Sequence, residues 1–375
     1  ANAYHMVKLL IVSFHFYPDL CAGSFRSKAL LDALQRVADQ DISIDIITTL
    51  PNRYSTYAVD ATEVEEIGNV RIKRVVLPKH KSGMIDQALA FSYFSYVARK
   101  YISGKHYDLV YATSSRLMAA ALGSWLAKCC KAKLYLDIRD IFVETIEDVF
   151  PKKLAKFVGP VFSMVEKLSF NRAQHINIVS KGFIPYFTKR YPQKALSYYT
   201  NGIDEEFLAV KAQEKPVKLG NKISILYAGN IGDGQGLHNI IPSLAVKLPD
   251  YEFHIIGDGG RRKKLEEELT RLAVTNVSLL DPCSREELIK NYQKADILFL
   301  HLNNYAAFER VLPSKIFEYA ALGKPILAGV GGYAAKFLKS EVPGCQVFEP
   351  CDIDGALLAL QSLSLDNTER IDFVK

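Results

Sequence analysis

The sequence predicts an α/β protein made of two doubly wound domains, each a parallel sheet with helices on both faces. Three observations lead there. Apolar runs of strand length alternate with helix-length amphipathic segments along nearly the whole chain. The strand-like runs are continuously hydrophobic, as strands must be when both faces of a parallel sheet are covered. A chain of 375 residues also outgrows one hydrophobic core, which rarely extends past ~250–300 residues.

In the first half the strands are expected at Lys8–Ser13, Ile42–Thr48, Val70–Leu77, Asp108–Ala112, Lys133–Ile138 and His175–Val179, with helices at Ser24–Val37, Arg116–Cys130 and Lys153–Phe170. In the second half strands are expected at Ile223–Ala228, Glu252–Ile256, Val277–Leu280, Asp296–Leu300, Pro325–Ala328 and Gln346–Phe348. Helices fit Leu237–Lys247, Arg261–Ala273, Arg285–Lys294 and Ser314–Leu322. A turn signal at Thr200-Asn201-Gly202-Ile203-Asp204 and the polar stretch from Gln213 to Lys222 divide the chain into domains of residues 1–203 and 204–375. The last helix is free to pack back on the first domain. Open parallel sheets bind ligands at the carboxyl ends of their strands. Two such domains facing each other across a cleft would suit a donor on one side and an acceptor on the other.

Composition excludes several classes. The chain is 49% hydrophobic and 23% charged, ordinary for a globular protein. No stretch reaches the ~18 consecutive apolar residues of a membrane span. Val7–Val12 is too short for a signal-peptide core and has no cleavage pattern behind it. The six cysteines, at 21, 129, 130, 283, 345 and 351, form no Cys-x-x-Cys or zinc spacing and read as reduced, small hydrophobes of a cytosolic protein. The net charge of +6 hides an asymmetry: residues 1–200 carry 27 Lys and Arg against 17 Asp and Glu, whereas the remainder is net acidic. A basic half points to an anionic partner.

The segments that carry chemistry lie mostly in the second half. Tyr227-Ala228-Gly229-Asn230-Ile231-Gly232-Asp233-Gly234-Gln235-Gly236-Leu237 follows a strand and opens a helix. Glycines let backbone approach a ligand there, and free N–H groups at a helix start favour phosphate. Ile256-Gly257-Asp258-Gly259-Gly260-Arg261 is a second strand–glycine–helix junction, without the G-x-G-x-x-G spacing of a dinucleotide site. Leu312-Pro313-Ser314-Lys315-Ile316-Phe317-Glu318 opens a helix. Ser314 is expected to cap it. Lys315 beside free amides suits a phosphate, and Glu318, one turn after Ser314, suits two vicinal ribose hydroxyls. In the first half the loop Phe16 to Arg26 ends in Gly23-Ser24 at a helix start, and Asp137-Ile138-Arg139-Asp140 gathers charge at a strand's carboxyl end. Residues 71–105 hold eight Lys and Arg with one acid, interleaved with Phe91, Tyr93, Phe94, Tyr96 and Tyr101, and Lys152 to Val158 is again basic and apolar. Such segments suit an anionic lipid surface.

The glycine loop with Gln-Gly-Leu, the Gly-Asp-Gly…Arg junction, Ala295-Asp296 and Leu-Pro-Ser-Lys-Ile-Phe-Glu-Tyr-Ala together resemble glycosyltransferase family 4, as do Tyr-Pro-Asp…Gly-Ser…Arg and Thr-Asn-Gly-Ile-Asp. The wording is similar to bacterial O-antigen and capsule transferases, including those for N-acetyl-L-fucosamine. The resemblance implies the GT-B fold and retaining, metal-independent transfer from a nucleotide diphosphate sugar, UDP-linked, to a lipid-linked saccharide. The nucleotide sugar is then a substrate, no cofactor or metal is required, and nucleic acid is not a partner. It implies an enzyme of the cytoplasm, peripheral on the inner face of the membrane.

Position by position, the resemblance places Gly23, Ser24, Gly229, Asn230, Gln235, Gly257, Arg261, Ser314, Lys315, Ile316 and Glu318 around the donor. Glu318 matches the second glutamate of the family's E-x7-E motif; the first falls on Arg310, next to Glu309. Asn230 and Gln235 stand where relatives carry a basic pair, which leaves Arg261 and Lys315 with more of the phosphate charge. Arg139 and Asp140 replace the family's histidine near the sugar and join Lys315 and Glu318 as catalytic candidates. Asp352-Ile353-Asp354 reads as a helix cap. Rival readings are a GT-B nucleotide-sugar epimerase, a Rossmann oxidoreductase and a non-catalytic sugar-nucleotide-binding protein.

Overall fold

The structure, a computed structural model, describes residues 5–15, 22–37, 41–50, 62–78, 84–114, 116–203, 205–210 and 222–373. The chain forms two compact units that meet in sequence between Thr200 and Asn201.

The N-terminal unit runs β1 (Val7–Val12), α1 (Ala22–Val37), β2 (Ile42–Thr49), β3 (Val64–Ile67), β4 (Val70–Val75), α2 (Met84–Tyr101), β5 (Leu109–Ser114), α3 (Leu117–Cys130), β6 (Lys133–Ile138), α4 (Phe142–Val149), α5 (Lys152–Arg172), β7 (His175–Ile178), α6 (Ile184–Arg190) and β8 (Leu196–Tyr198). The strands form one sheet in the order β3-β4-β2-β1-β5-β6-β7-β8. Every pair is parallel except β3 with β4, a hairpin turned at Gly68, whose φ of +59° suits glycine. Leu9 to Val12 are all buried, which explains the unbroken apolar run in the sequence. A Cβ on Gly123 would lie 2.4 Å from Ala112 Cβ, so that glycine lets α3 sit close on β5.

The basic segment 71–105 does not form one surface. Arg74 is fully buried and donates to Glu65 at 2.8 Å, and Arg71 lies 3.1 Å from Glu66, so β3 neutralises the outer strand β4. Phe94 is buried beneath α2, while Tyr93 and Tyr96 are exposed. Lys79 and Lys81 lie outside the described residues.

The C-terminal unit runs α7 (Glu205–Leu208), β9 (Ile223–Ala228), α8 (Ile241–Lys247), β10 (Tyr251–Ile256), α9 (Arg262–Arg271), β11 (Val277–Leu280), α10 (Arg285–Lys294), β12 (Ile297–His301), α11 (Lys315–Leu322), β13 (Ile326–Gly329), α12 (Gly332–Glu341), β14 (Cys345–Phe348) and α13 (Ile353–Ser362). Its wholly parallel sheet has the order β11-β10-β9-β12-β13-β14. Strand order reverses between β9 and β12, the switch point at which such sheets bind ligands. Alternate residues of β9 enter separate cores: Leu226 and Ala228 pack with Phe317 and Tyr319, Ile225 and Tyr227 with Phe253 and Phe299. The helix expected over Leu237–Lys247 is broken into a short 3-10 turn, Leu237–Asn239, and α8. Ile240 leaves helical geometry at φ −127°, and Pro242, which has no N–H to continue a ladder, begins the second piece. No helix of the described residues is long and apolar enough to cross a membrane.

Candidate functional site

The loops that leave β9 and β10 are joined backbone to backbone. Gly229 N–H donates to Ile256 O at 2.9 Å, Ile231 N–H to Asp258 O at 2.9 Å, and Arg261 N–H to Ile231 O at 2.9 Å. Gly229 and Gly257 have φ of +154° and +153°, and a Cβ on Gly257 would lie 1.8 Å from Gly229 O. Only glycine fits that approach. Behind the first loop, Asn303 N–H donates to Gly234 O at 2.8 Å and its side-chain amide to Asp233 O at 2.9 Å. His301 is fully buried; its Nδ1 lies 2.7 Å from Gln235 O, and its Nε2 accepts from Cys351 N–H at 2.9 Å. Burial pushes the imidazole down to about 4, so it stays neutral, with Nδ1–H donating and Nε2 accepting.

Asn230 and Gln235, expected near the diphosphate, spend their side chains on the loop itself. Asn230 Nδ2 donates to Gln235 Oε1 at 3.0 Å, and Gly232 N–H reaches the same oxygen at 3.1 Å. Uncharged amides can brace a turn this way; the basic pair of the family pattern could not. Arg261 is half exposed, with its Nε 3.3 Å from Asp233 Oδ1, and Asp233 also accepts from Tyr305 Oη.

Lys315 and Glu318 stand on the first turn of α11. Ile316, Phe317, Tyr319, Ala320 and Ala321 bury the rest of that helix, and Gly323, in the left-handed region at φ +65°, ends it. Lys315 Nζ lies 3.0 Å from Glu318 Oε2, and both meet Tyr292 of α10: the ammonium donates to the phenol oxygen at 3.1 Å, and the phenol donates to Glu318 Oε2 at 3.2 Å. Tyr292 is fully buried, and burial followed by the Glu318 charge lifts its pKa well above the usual phenol value. It therefore acts as a neutral donor and acceptor at every working pH. Lys315 Cε lies 3.5 Å from the position a Cβ on Gly229 would take, so the lysine is packed against the glycine loop. Ser314 has helical angles and makes no side-chain cap, contrary to the expected capping role. Ile316 is part of the core, and its N–H donates to Pro313 O at 3.2 Å.

In the N-terminal unit α1 begins at Ala22, which puts Gly23 and Ser24 in its first turn. The hydroxyl of Ser24 is buried without a hydrogen-bond partner among the described residues. The preceding loop, Phe16 to Cys21, lies outside those residues. The buried ion pair at the end of β6 is made by Asp137 with Arg26. Nε and Nη2 of Arg26 reach the two carboxylate oxygens at 2.6 and 2.8 Å. Thr113 and Asn177 donate to the same carboxylate at 3.0 and 2.9 Å, and Arg26 also holds the carbonyls of Tyr199 and Thr200. Asp140 accepts from Ile141 N–H at 2.8 Å, and burial, opposed by that bond and by Arg139, pushes its carboxyl up to about 6.

Tyr292, Asp233 and Arg26 were not among the candidate residues. Tyr292 and Arg26 are far in sequence from what they hold. Among the described residues no group of three or more His, Cys, Asp and Glu is arranged for a metal ion. Asp352 caps α13, accepting from Gly355 N–H at 3.1 Å.

Residues 210–375 match the family model of the group 1 glycosyl transferases. A curated relative, the protein WcaI of Escherichia coli strain K12, named for colanic acid biosynthesis glycosyl transfer, is 34% identical over 105 residues. That match covers 28% of this chain and 25% of the relative, so it spans about a quarter of the relative's length. Sucrose-phosphate synthase from Thermosynechococcus elongatus shares the fold at TM-score 0.68 and 14% identity, over 95% of this chain and 89% of the other. Anabaena HepE, solved with UDP and glucose, gives 0.63 at 15% identity over 95% and 89% of the two chains. The apo form of OtsA gives 0.68 at 13% identity over 96% and 92%. The chain has the GT-B fold, and its residues 210–375 match the model of the group 1 glycosyl transferases.

Proposed function

We propose that this protein is a retaining glycosyltransferase. It would move a sugar, N-acetyl-L-fucosamine or another N-acetylhexosamine, from a UDP-linked donor to a lipid-linked saccharide in bacterial surface-polysaccharide synthesis. The observation that carries the reading is the Lys315–Tyr292–Glu318 cluster on the first turn of α11, with Lys315 packed against Gly229 at the switch point of the sheet. Lys315 supplies a cation for the diphosphate, beside the glycine loop. Glu318 accepts from the ribose hydroxyls. In the reaction the bond between the anomeric carbon and the diphosphate oxygen breaks. A bond to the acceptor oxygen forms on the same face, and the acceptor's proton passes to the departing phosphate. Fixed cations and amides stabilise the charge that develops there. Lysine thus takes the place a divalent metal has elsewhere, and the reading includes no metal and no cofactor.

The name of WcaI supports the surface-polysaccharide setting, and the UDP in HepE supports the donor. Arg139 and Asp140 are assigned to the sugar; a carboxyl that titrates near 6 can exchange a proton at working pH. The protein would work in the cytoplasm, on the inner membrane face. Thermal shift across UDP-, GDP-, ADP- and dTDP-sugars identifies the donor, because specific binding stabilises the folded chain. Lys315→Ala and Glu318→Ala are each expected to lower donor binding and transfer by about 100-fold. Turnover near wild type in both would refute the assignment, and donor conversion without any acceptor would show an epimerase.

A further inference from the structure

The outer face of α5 departs from what a surface helix requires. Ala155, Glu166, Ser169 and Phe170 face inward, and Glu166 accepts from the hydroxyls of Tyr186 and Tyr191 at 2.7 and 2.6 Å, sealing that side. On the outside, Leu154, Phe157, Val161, Met164 and Leu168 are 43, 80, 55, 57 and 61% exposed. Their spacing of three, four, three and four residues makes one straight apolar seam along the helix. A helix that had only water outside would carry polar residues there. Lys152, Lys153, Lys156 and Lys167 flank the seam and are exposed, and the one acid of the helix, Glu166, is buried on the inner face.

The apolar surface continues beyond α5. The connections β4–α2–β5, β5–α3–β6 and β6–α5–β7 all run the same way across the sheet. Right-handed crossovers therefore put the three helices on one face. Arg172 of α5 donates to Ser124 of α3 at 3.1 Å, and Arg116, preceding α3, donates to Gln87 of α2 at 2.7 Å. Outward from α3 stand Met118 and Trp125, and from α2 Ile85, Leu89 and Tyr96.

We infer that this helical face, centred on the α5 seam, lies on an anionic lipid surface. Charge decides between the possible occupants. A second copy packed seam to seam would set Lys153 and Lys167 against the same lysines, with no exposed acid on α5 to answer them and Pro160 in the middle of the contact. Anionic headgroups answer every one of those charges while the seam enters the acyl boundary, and tryptophan and tyrosine favour that depth. The inference deepens the lipid-linked acceptor reading above and rests on it for its purpose, but it is tested apart from it.

The purified full chain is sedimented with vesicles of phosphatidylcholine alone or mixed with phosphatidylglycerol. Wild type is expected to be retained about tenfold more by the mixed vesicles, less so at high salt. Phe157→Glu with Met164→Glu is expected to lose about tenfold of that retention, and Lys152→Glu with Lys153→Glu to lose the preference for anionic lipid. Because these side chains are exposed, melting by circular dichroism should hardly move. Lys263→Glu with Lys336→Glu, which changes net charge in the C-terminal unit as much as the Lys152 and Lys153 variant does in the N-terminal one, should bind as wild type. Equal retention by both vesicle types, or unchanged retention in the Phe157 and Met164 variant, overturns the inference. So does light scattering that shows a wild-type dimer turned to monomer by that variant. Donor-induced thermal shift in the same variant reports on the enzyme reading separately: vesicle binding without any donor shift would leave this surface standing and remove the proposed function.

Discussion

Tyr292 shows what one buried hydroxyl can do. A lysine and a glutamate three apart on a helix meet without help, but an exposed pair of that kind contributes only ~0.3–0.5 kcal/mol and wanders. Here Lys315 and Glu318 are mostly sheltered, and the phenol ties both to α10. Tyr292→Phe keeps the ring and removes only the tie. On the proposed reading it is expected to raise the donor KM about tenfold with little change in kcat, since the placement of Lys315 and Glu318 is loosened while both charges remain. Steady-state kinetics with varied donor checks this, and an unchanged KM would dismiss Tyr292 as a positioning residue.

Asp140 and His301 pull stability in opposite directions. The folded Asp140 titrates at about 6 against an ordinary 3.8, so between those values the native state holds more protons than the unfolded chain, and stability falls as pH rises. His301 is held at about 4 against 6.5, so its contribution is full above 6.5 and lost as pH falls towards 4. Asp140→Asn keeps an acceptor for Ile141 and removes the charge. It should gain about 1–2 kcal/mol at pH 7.5, reduced from the full shift because the carboxyl retains some contact with water, and nothing below pH about 4. Urea unfolding at the two pH values measures the difference.

At the scale of elements, the two glycine junctions act as one. Gly257→Ala would force a Cβ into Gly229 O at 1.8 Å and a side chain into φ +153°, and backbone cannot yield as a flexible side chain can. A loss of about 2–4 kcal/mol is expected in denaturant unfolding, with donor affinity falling alongside. Neighbouring Gly260 has open space around its Cβ position, and Gly260→Ala should be nearly neutral.

The central strands were legible because burial on both faces writes itself as an unbroken apolar run. β3 was not, since Val64-Glu65-Glu66-Ile67 is an edge strand whose acids serve β4. β8 is only three residues long, too short to show a pattern. The α8 break turns on Pro242, whose lone ring overrode an otherwise helical pattern. Lys315 and Glu318 could be read because one contiguous helix start carries both. Tyr292 could not, because it reaches them from another helix 23 residues away. The bond between Asn230 and Gln235 was not legible, because a sequence shows which polar groups are present but not which of them satisfy each other.

For the molecule as a whole, each sheet has its own core, so damage to one unit should be felt there first. Asp137→Ala leaves Arg26 buried without its carboxylate, a change worth about 3–5 kcal/mol. Calorimetry should show the transition of the N-terminal unit lowered and that of the C-terminal unit in place; a uniform shift of both would mean that the two melt as one body.

The reach of Arg26 also bears on how the chain is made. Its guanidinium grips the carbonyls of Tyr199 and Thr200, the final residues of the first unit, across 173 and 174 positions of sequence. During synthesis α1 is finished early and Asp137 follows, yet the two carbonyls that complete the grip of Arg26 do not exist until the last strand of its own sheet has been added. The first unit thus reaches its native state only when translation has arrived at its final residue, and until then a buried arginine lacks the last of its acceptors in the nascent chain.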